Sequence, residues 1–365
     1  MTHEIPFMSL VPGPDAGVVR AAIDRVIARG WFILGPEGDA FEAEFAQASG
    51  LAHAVGVANG TDALALTLRA LGIGPGDEVI TSPLSAAFSA LAIQMAGATP
   101  VFADIDPERL TLDPEATRAA ITPRTAAVMP VHLYGQPADM VAIAAIAQRH
   151  HLVVIEDACQ AHFATCAGRP VGSLGVAACF SFYPTKNLGA LGDGGAIATN
   201  DAALADKLRR LRNGGQASKY QHVEFGVNSR LDELQAAILR ARLPLMPAWT
   251  ARRRAIAASY RAALPGAHVT VPAEHEAGHV YHLFPVLTPR RDAFQAHLSA
   301  RGIGTLVHYP IPLTRQGAFA TAPPADCPHA DRAAEHVCSL PLHPHLSEAD
   351  AARIADAVRA FPSEG

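Results

Sequence analysis

Only three lysines occur in 365 residues that carry 29 Lys and Arg together, and one of them, Lys186, stands in SFYPTKNLGALGDGGA between an aromatic run and a cluster of glycines. An arginine stays protonated at any accessible pH, whereas a desolvated lysine amine can lose its proton and attack a carbonyl. Lys186 is therefore a candidate for covalent chemistry. A second group of interest closes the apolar run of VVIEDACQAH, where Glu156 and Asp157 are followed by Gln160. Strand alternation turns one of the two acids toward a crevice, where a carboxylate meets either a cationic ligand or a structural arginine. A third is VANGTDALAL, with Asn59, Gly60 and Thr61 between a strand and a helix. Such a turn offers helix N–H groups, the helix dipole and a threonine hydroxyl to a phosphate, although the same residues also make an ordinary helix cap.

A Walker-type phosphate loop does not account for Lys186, because in that motif the lysine follows the glycines and precedes Ser or Thr. What remains is a lysine, an acid and a phosphate-binding turn, the set that pyridoxal 5'-phosphate requires. The lysine forms its Schiff base, the acid keeps the pyridine nitrogen protonated, and helix N–H groups hold the phosphate.

These three groups must be brought to one edge by the elements that carry them. From Phe41 to about Asn200 strand-like and helix-like segments alternate, which predicts an α/β layer with a mainly parallel sheet. Strands are expected at 53–58, 99–105, 125–133, 151–158, 177–184 and 195–200. Helical runs lie between them, such as the one closed by Gly72 and the one opened by Pro137. Near residue 246 the alternation gives way to a long helical stretch. A large domain over 1–246, with an N-terminal arm, and a smaller C-terminal α+β domain over 247–365 are therefore expected.

An apolar fraction of 50% with 17% charged residues describes a globular chain. No apolar run approaches a membrane span, and the first residues lack a basic segment followed by an apolar one, so a cytoplasmic location is expected and no membrane partner. The five cysteines have no paired close spacing, and the 17 histidines lack ligand spacing, so neither a disulfide framework nor a metal site is indicated. A net charge of −5 without a dense basic run argues against nucleic acid. RRLR at 209–212 and ARRR at 251–254 read as solvated helix faces.

Over nearly its whole length the sequence resembles the DegT/DnrJ/EryC1/StrS family of sugar aminotransferases, which have the aspartate-aminotransferase type I fold. The resemblance lies in FILGPEGDAFEAEFA, GIGPGDEVI, ITPRTAAVMPVHLYGQPADM, VIEDACQAH, SFYPTKNLGALGDGGA, NSRLDELQAAIL and HYPIPL. It implies Lys186 as Schiff-base lysine and proton carrier, Asp157 as partner of the pyridine nitrogen, and Gln160 beside the ring. It further implies that Ser181 with Gly60 and Thr61 holds the phosphate, and that Asn228 reaches it from the other subunit of a homodimer whose active site is shared. Tyr220, His222, His308 and Tyr309 are substrate candidates by the same resemblance. Two departures stand out: Ala86 occupies the place of the usual ring-stacking aromatic, so that either Phe88 or another side chain covers the ring or that face is open, and Phe163 replaces a glycine.

The variant around Lys186 looks most like the subgroup that aminates C3 of a nucleotide-linked 3-keto-6-deoxyhexose, with L-glutamate as the expected amino donor. Other readings are amination at C4 or of another keto sugar, and a catalytically silent sensor of the cofactor or a sugar nucleotide. A 3-dehydrase would carry histidine in place of Lys186, and a nicotinamide enzyme would carry a G-x-G-x-x-G that is missing after the first strand.

Overall fold

The computed structural model describes residues 3–362. Helices α1 (Ala16–Arg29) and α2 (Pro36–Ser49) lead into β1 (His53–Val57), α3 (Gly60–Ala70), β2 (Glu78–Thr81), α4 (Phe88–Met95), β3 (Thr99–Phe102), α5 (Pro114–Ala119) and β4 (Thr125–Met129). Next come α6 (Met140–Arg149), β5 (Val153–Asp157), a two-residue ladder of β6 (Thr165–Cys166) and β7 (Arg169–Pro170), β8 (Ala177–Ser181), β9 (Gly195–Thr199) and α7 (Ala202–Leu211). A short hairpin of β10 (Gln216–Ser218) and β11 (Gln221–His222) precedes α8 (Glu233–Arg242) and α9 (Met246–Ala263). The remainder is β12 (Phe284–Leu287), α10 (Arg291–Ser299), α11 (Pro328–His336), β13 (Val337–Leu340) and α12 (Glu348–Arg359).

The seven-stranded sheet has the order β1-β9-β8-β5-β4-β2-β3. Its pairs are parallel except those of β9, which runs against both β1 and β8. Six strands therefore share one direction, and their carboxyl ends lie along one edge. Gly195 pairs with both Val57 and Ser181, so the ends of β1 and β8 are flush. An added Cβ at Gly195 would lie 2.4 Å from the Asn59 carbonyl, and this close approach is what brings the two strand ends together. Apolar strands buried on both faces, such as the interior of β5 and β8, are what a helix-covered parallel sheet demands.

β2 was not expected from the sequence, because its four residues are all buried and are too few to show a period. The helix expected to open at Pro137 starts instead at Met140, where the Asp139 side chain accepts from the Ala142 N–H, and Pro137 lies outside it. The two basic runs are not uniformly solvated faces. Arg212 is buried against Glu42 and the Gly56 carbonyl, and Arg253 is buried with Nη1 donating to the carbonyls of Tyr281, His282 and Leu342. Both lie on helix flanks that face protein, which charge alone did not disclose.

Beyond α8 a separate apolar core gathers Ile256, Tyr260, Phe284, Phe294, Ile354 and Val358. Ile5 joins this core and bridges Ile303, so the N-terminal arm packs against the C-terminal part of the chain. Between this core and the sheet edge lies a third cluster, in which Phe102 and Tyr134 meet Leu283, Leu313 and Phe319. Asp104, just after β3, accepts from the N–H groups of His329 and Ala330 and so caps α11 across that boundary. The C-terminal part of the chain is thereby fastened to the sheet.

Candidate active site

The carboxyl ends of β1, β5 and β8 open into a cavity of about 830 Å³. At its floor α3 begins. Asn59 caps the helix by accepting from the Asp62 N–H at 2.8 Å, which leaves the first N–H groups, at Gly60 and Thr61, facing the cavity they line. The cap and the phosphate readings of this turn are thus compatible. An added Cβ at Gly60 would lie 2.8 Å from both the Ser181 Cβ and the Cys159 Sγ, so only glycine lets the helix start this close to the end of β8. Ser181, the last residue of β8, also lines the cavity.

The two acids of β5 part company. Glu156 is fully buried and accepts from the N–H groups of Gly172, Leu174 and Gly175, with His132 Nε2 3.0 Å away. The His132 Nδ1 accepts from the Ala138 N–H, which leaves Nε2 to donate to Glu156. Glu156 is therefore committed to the fold. Asp157 faces the cavity, where its Oδ2 accepts from Ser89 Oγ at 2.6 Å and its Oδ1 from the Cys159 N–H at 3.1 Å. Ser89, on α4 and buried, was not singled out by the sequence; nothing in SPLSAAFSA marks it before α4 is set against β5.

Lys186 reaches the same cavity from the loop after β8. Burial pushes its amine below the ordinary lysine value, while nearby Cys159 and Asp157 oppose the shift. Cys159 itself is pushed well up, first by burial and then by Asp157. An amine whose pKa burial lowers, an acid and free helix N–H groups converge on one cavity. These donors suit a group with an aldehyde, a basic ring nitrogen and a phosphate, and the cradle that a Cβ at Gly60 would fill suits the phosphate end.

On the facing side stand Gln160, His282, His308 and Tyr309. Gln160 Oε1 accepts from the Tyr134 N–H at 2.7 Å, and its Nε2 donates to Tyr309 Oη at 3.0 Å. Burial and Lys186 together push His308 down to about 4, so its imidazole is neutral near pH 7, and His308 Nδ1 is 2.9 Å from Ser339 Oγ. Burial raises Tyr309 to about 12, with the Gln160 hydrogen bond opposing. Ala86 and Phe88 both line the cavity, and Phe88 is largely exposed. Phe163 does not line it; it packs against Phe45 with ring centres 5.6 Å apart. Tyr183, also on the cavity wall, was missed because an aromatic after a strand reads as core.

Three of the expected residues lie elsewhere. Tyr220, at the β10–β11 turn, is 81% exposed, and Lys219 Nζ lies 5.2 Å from the centre of its ring. His222 is exposed with Nδ1 2.7 Å from the Gly214 carbonyl, and Asn228 is exposed beside Asn213. None of the three lines the cavity of its own chain. Among the described residues no cluster of three or more His, Cys, Asp or Glu side chains could hold a metal ion, and no helix is long and apolar enough to cross a membrane.

Residues 17–359 match the DegT/DnrJ/EryC1/StrS aminotransferase family. The chain is 50% identical to a dTDP-3-amino-3,4,6-trideoxy-alpha-D-glucose transaminase of Streptomyces venezuelae, covering 98% of this chain and 96% of that one. It is 49% identical to a UDP-N-acetyl-3-dehydro-alpha-D-glucosamine 3-aminotransferase of Acidithiobacillus ferrooxidans, covering 93% of each. The crystal structure of S. venezuelae DesV in complex with a ketimine intermediate superposes with a TM-score of 0.95 at 50% identity over 98% of both chains.

Proposed function

Because the chain belongs to the DegT/DnrJ/EryC1/StrS aminotransferase family, we propose that it moves an amino group from L-glutamate to the C3 carbonyl of a nucleotide-linked 3-keto-6-deoxyhexose, as a homodimer in the cytoplasm. It is a pyridoxal-phosphate-dependent aminotransferase of the type I fold. The observation that carries the reading is the meeting of Lys186, Asp157 and the α3 N-terminus in one cavity. Amination at C3 is supported by the two relatives, one named for a dTDP sugar and one for a UDP sugar, both 3-amino in their chemistry.

Gly60, Thr61 and Ser181 hold the cofactor phosphate, and Asp157 holds the proton on the ring nitrogen. Gln160 stands beside the ring. The bound cofactor supplies a carbonyl to carry nitrogen and an electron sink for the carbanion. Lys186 anchors the cofactor covalently at rest. Its amine, whose pKa burial lowers, would act as the base and acid that moves a proton at the donor carbon and, in the second half of the reaction, at the aminated carbon of the sugar. Ser89 orients Asp157 through its hydrogen bond. A second copy of the chain completes the site with Asn228, Tyr220 and His222, which explains why all three are exposed in one chain.

The test is visible absorbance of the purified protein. A yellow band bleached by L-glutamate and restored by a 3-keto sugar nucleotide is expected. Indifference to glutamate would favour a silent sensor, and restoration only by 4-keto sugars would move the amination to C4.

A further inference from the structure

Tyr134 touches both halves of the site without lining its cavity. It is buried, and its φ of +60° lies in the left-handed region that a bulky residue seldom adopts. Its N–H donates to Gln160 Oε1 at 2.7 Å, which fixes the amide so that Nε2 points at Tyr309 Oη. Its own hydroxyl donates to the His308 carbonyl. Its carbonyl accepts from the Leu283 N–H at 3.2 Å, next to His282 of the cavity wall. The following residue, Gly135, accepts from the Val280 N–H, and an added Cβ there would lie 2.8 Å from the His282 nitrogen. Tyr134, between β4 and α6, thus bonds to His308 directly, reaches Tyr309 through Gln160, and is tied to the residue after His282.

Asp157, Gly60 and Ser181 make no bond to it: Asp157 is held by Ser89 and the Cys159 N–H, and Gly60 and Ser181 are placed by α3, β8 and β9. We infer that Tyr134 is a positioning residue for the keto-sugar half of the reaction, its hydroxyl setting His308 and Tyr309 as the wall against which the sugar is oriented. This rests on the sugar-aminotransferase reading. A small amino donor needs only Lys186 and the cofactor-holding edge, whereas a bulky sugar nucleotide also meets the opposite wall. Deleting the Tyr134 hydroxyl leaves the backbone bond to Gln160 intact and removes only the tie to His308.

The experiment is Tyr134→Phe in the cofactor-loaded enzyme, with the two half-reactions followed separately by absorbance. Bleaching by L-glutamate should proceed within about twofold of the parent rate. Recovery with a dTDP-linked 3-keto-6-deoxyhexose should require about tenfold more sugar, the loss of one hydrogen bond. An equal fall in both half-reactions, or no change in either, overturns the inference. Ser339→Ala, which frees the His308 imidazole, should shift the sugar half alone in the same direction, and covers the case in which Tyr134→Phe does not hold cofactor. A crystal structure of Tyr134→Phe without substrate gives a readout independent of the sugar assignment. Residues 308–309 should be displaced with Lys186 and Asp157 in place, and an unmoved 308–309 refutes the positioning role even if no keto sugar is turned over.

Discussion

The cofactor edge and the β10–β11 hairpin are both expected to serve the same reaction, yet they are built in opposite ways. At the edge Asp157 and Ser181 are held within strands and Gly60 at a helix start, each with a close partner, as Asp157 has in Ser89 and Gly60 in Ser181. The hairpin has two short strands with a register shift, and it leaves Tyr220, Val223 and Phe225 more than half exposed. Chemistry that needs atoms held to a fraction of an ångström sits where the backbone is buried, and parts that wait for a partner or substrate sit where it is not.

Several substitutions would break or sharpen that contrast. The largest effect is expected from Lys186→Ala, which should remove the yellow band and lower turnover by roughly 10³-fold or more while the chain stays folded. Undiminished transamination would refute the assignment. Gly60→Ala comes next, because the new Cβ meets Ser181 and Cys159 at 2.8 Å. It should cost about 1–3 kcal/mol of stability and loosen the phosphate site, read as a lower Tm and a higher cofactor Kd. Ser89→Ala should weaken cofactor binding by about tenfold with the fold retained, since Asp157 loses one of its two donors. Tyr220→Ala should leave stability within about 0.5 kcal/mol, as for other exposed residues, and change only the KM for the sugar.

Acid lability should follow the buried histidines, of which His282 and His308 line the site, rather than the hairpin. Burial lowers His162 and His279 to about 3 and His308 and His343 to about 4, and drives His282 well below its ordinary 6.5. Between about pH 4 and 6.5 the unfolded chain therefore binds more protons than the folded one. Stability is highest above 6.5 and falls as the pH is lowered through that window. Glu37, held at about 2 chiefly by its hydrogen bond from Arg25, adds a further loss below its ordinary 4.5. Tm measured from pH 7.5 to 4.5 should drop steeply. A flat profile would mean that these imidazoles titrate normally.

Much of this was legible in the residues. The rarity of lysine singled out Lys186, the apolar run ending in two acids located Asp157 to within one residue, and N-G-T-D after a strand located the helix start. Each is a local signal of composition, alternation or capping, and such signals survive in a linear text because they act over a few residues.

The linear chain specifies the set of chemical groups and the α/β scaffold that carries them. The tertiary structure decided which acid faces the cavity, because Glu156 is claimed by N–H groups of a loop 16 to 19 residues onward. It also decided that Ser89 meets Asp157 across 68 residues and that Tyr134 meets His308 across 174. The same holds for Glu233, which caps α2 from 195 to 198 residues away by accepting from Gly35, Glu37 and Gly38. The physical reason is common to all of these. A buried polar atom must find a partner wherever the packed chain provides one, and distance along the sequence has no bearing on which atom that is.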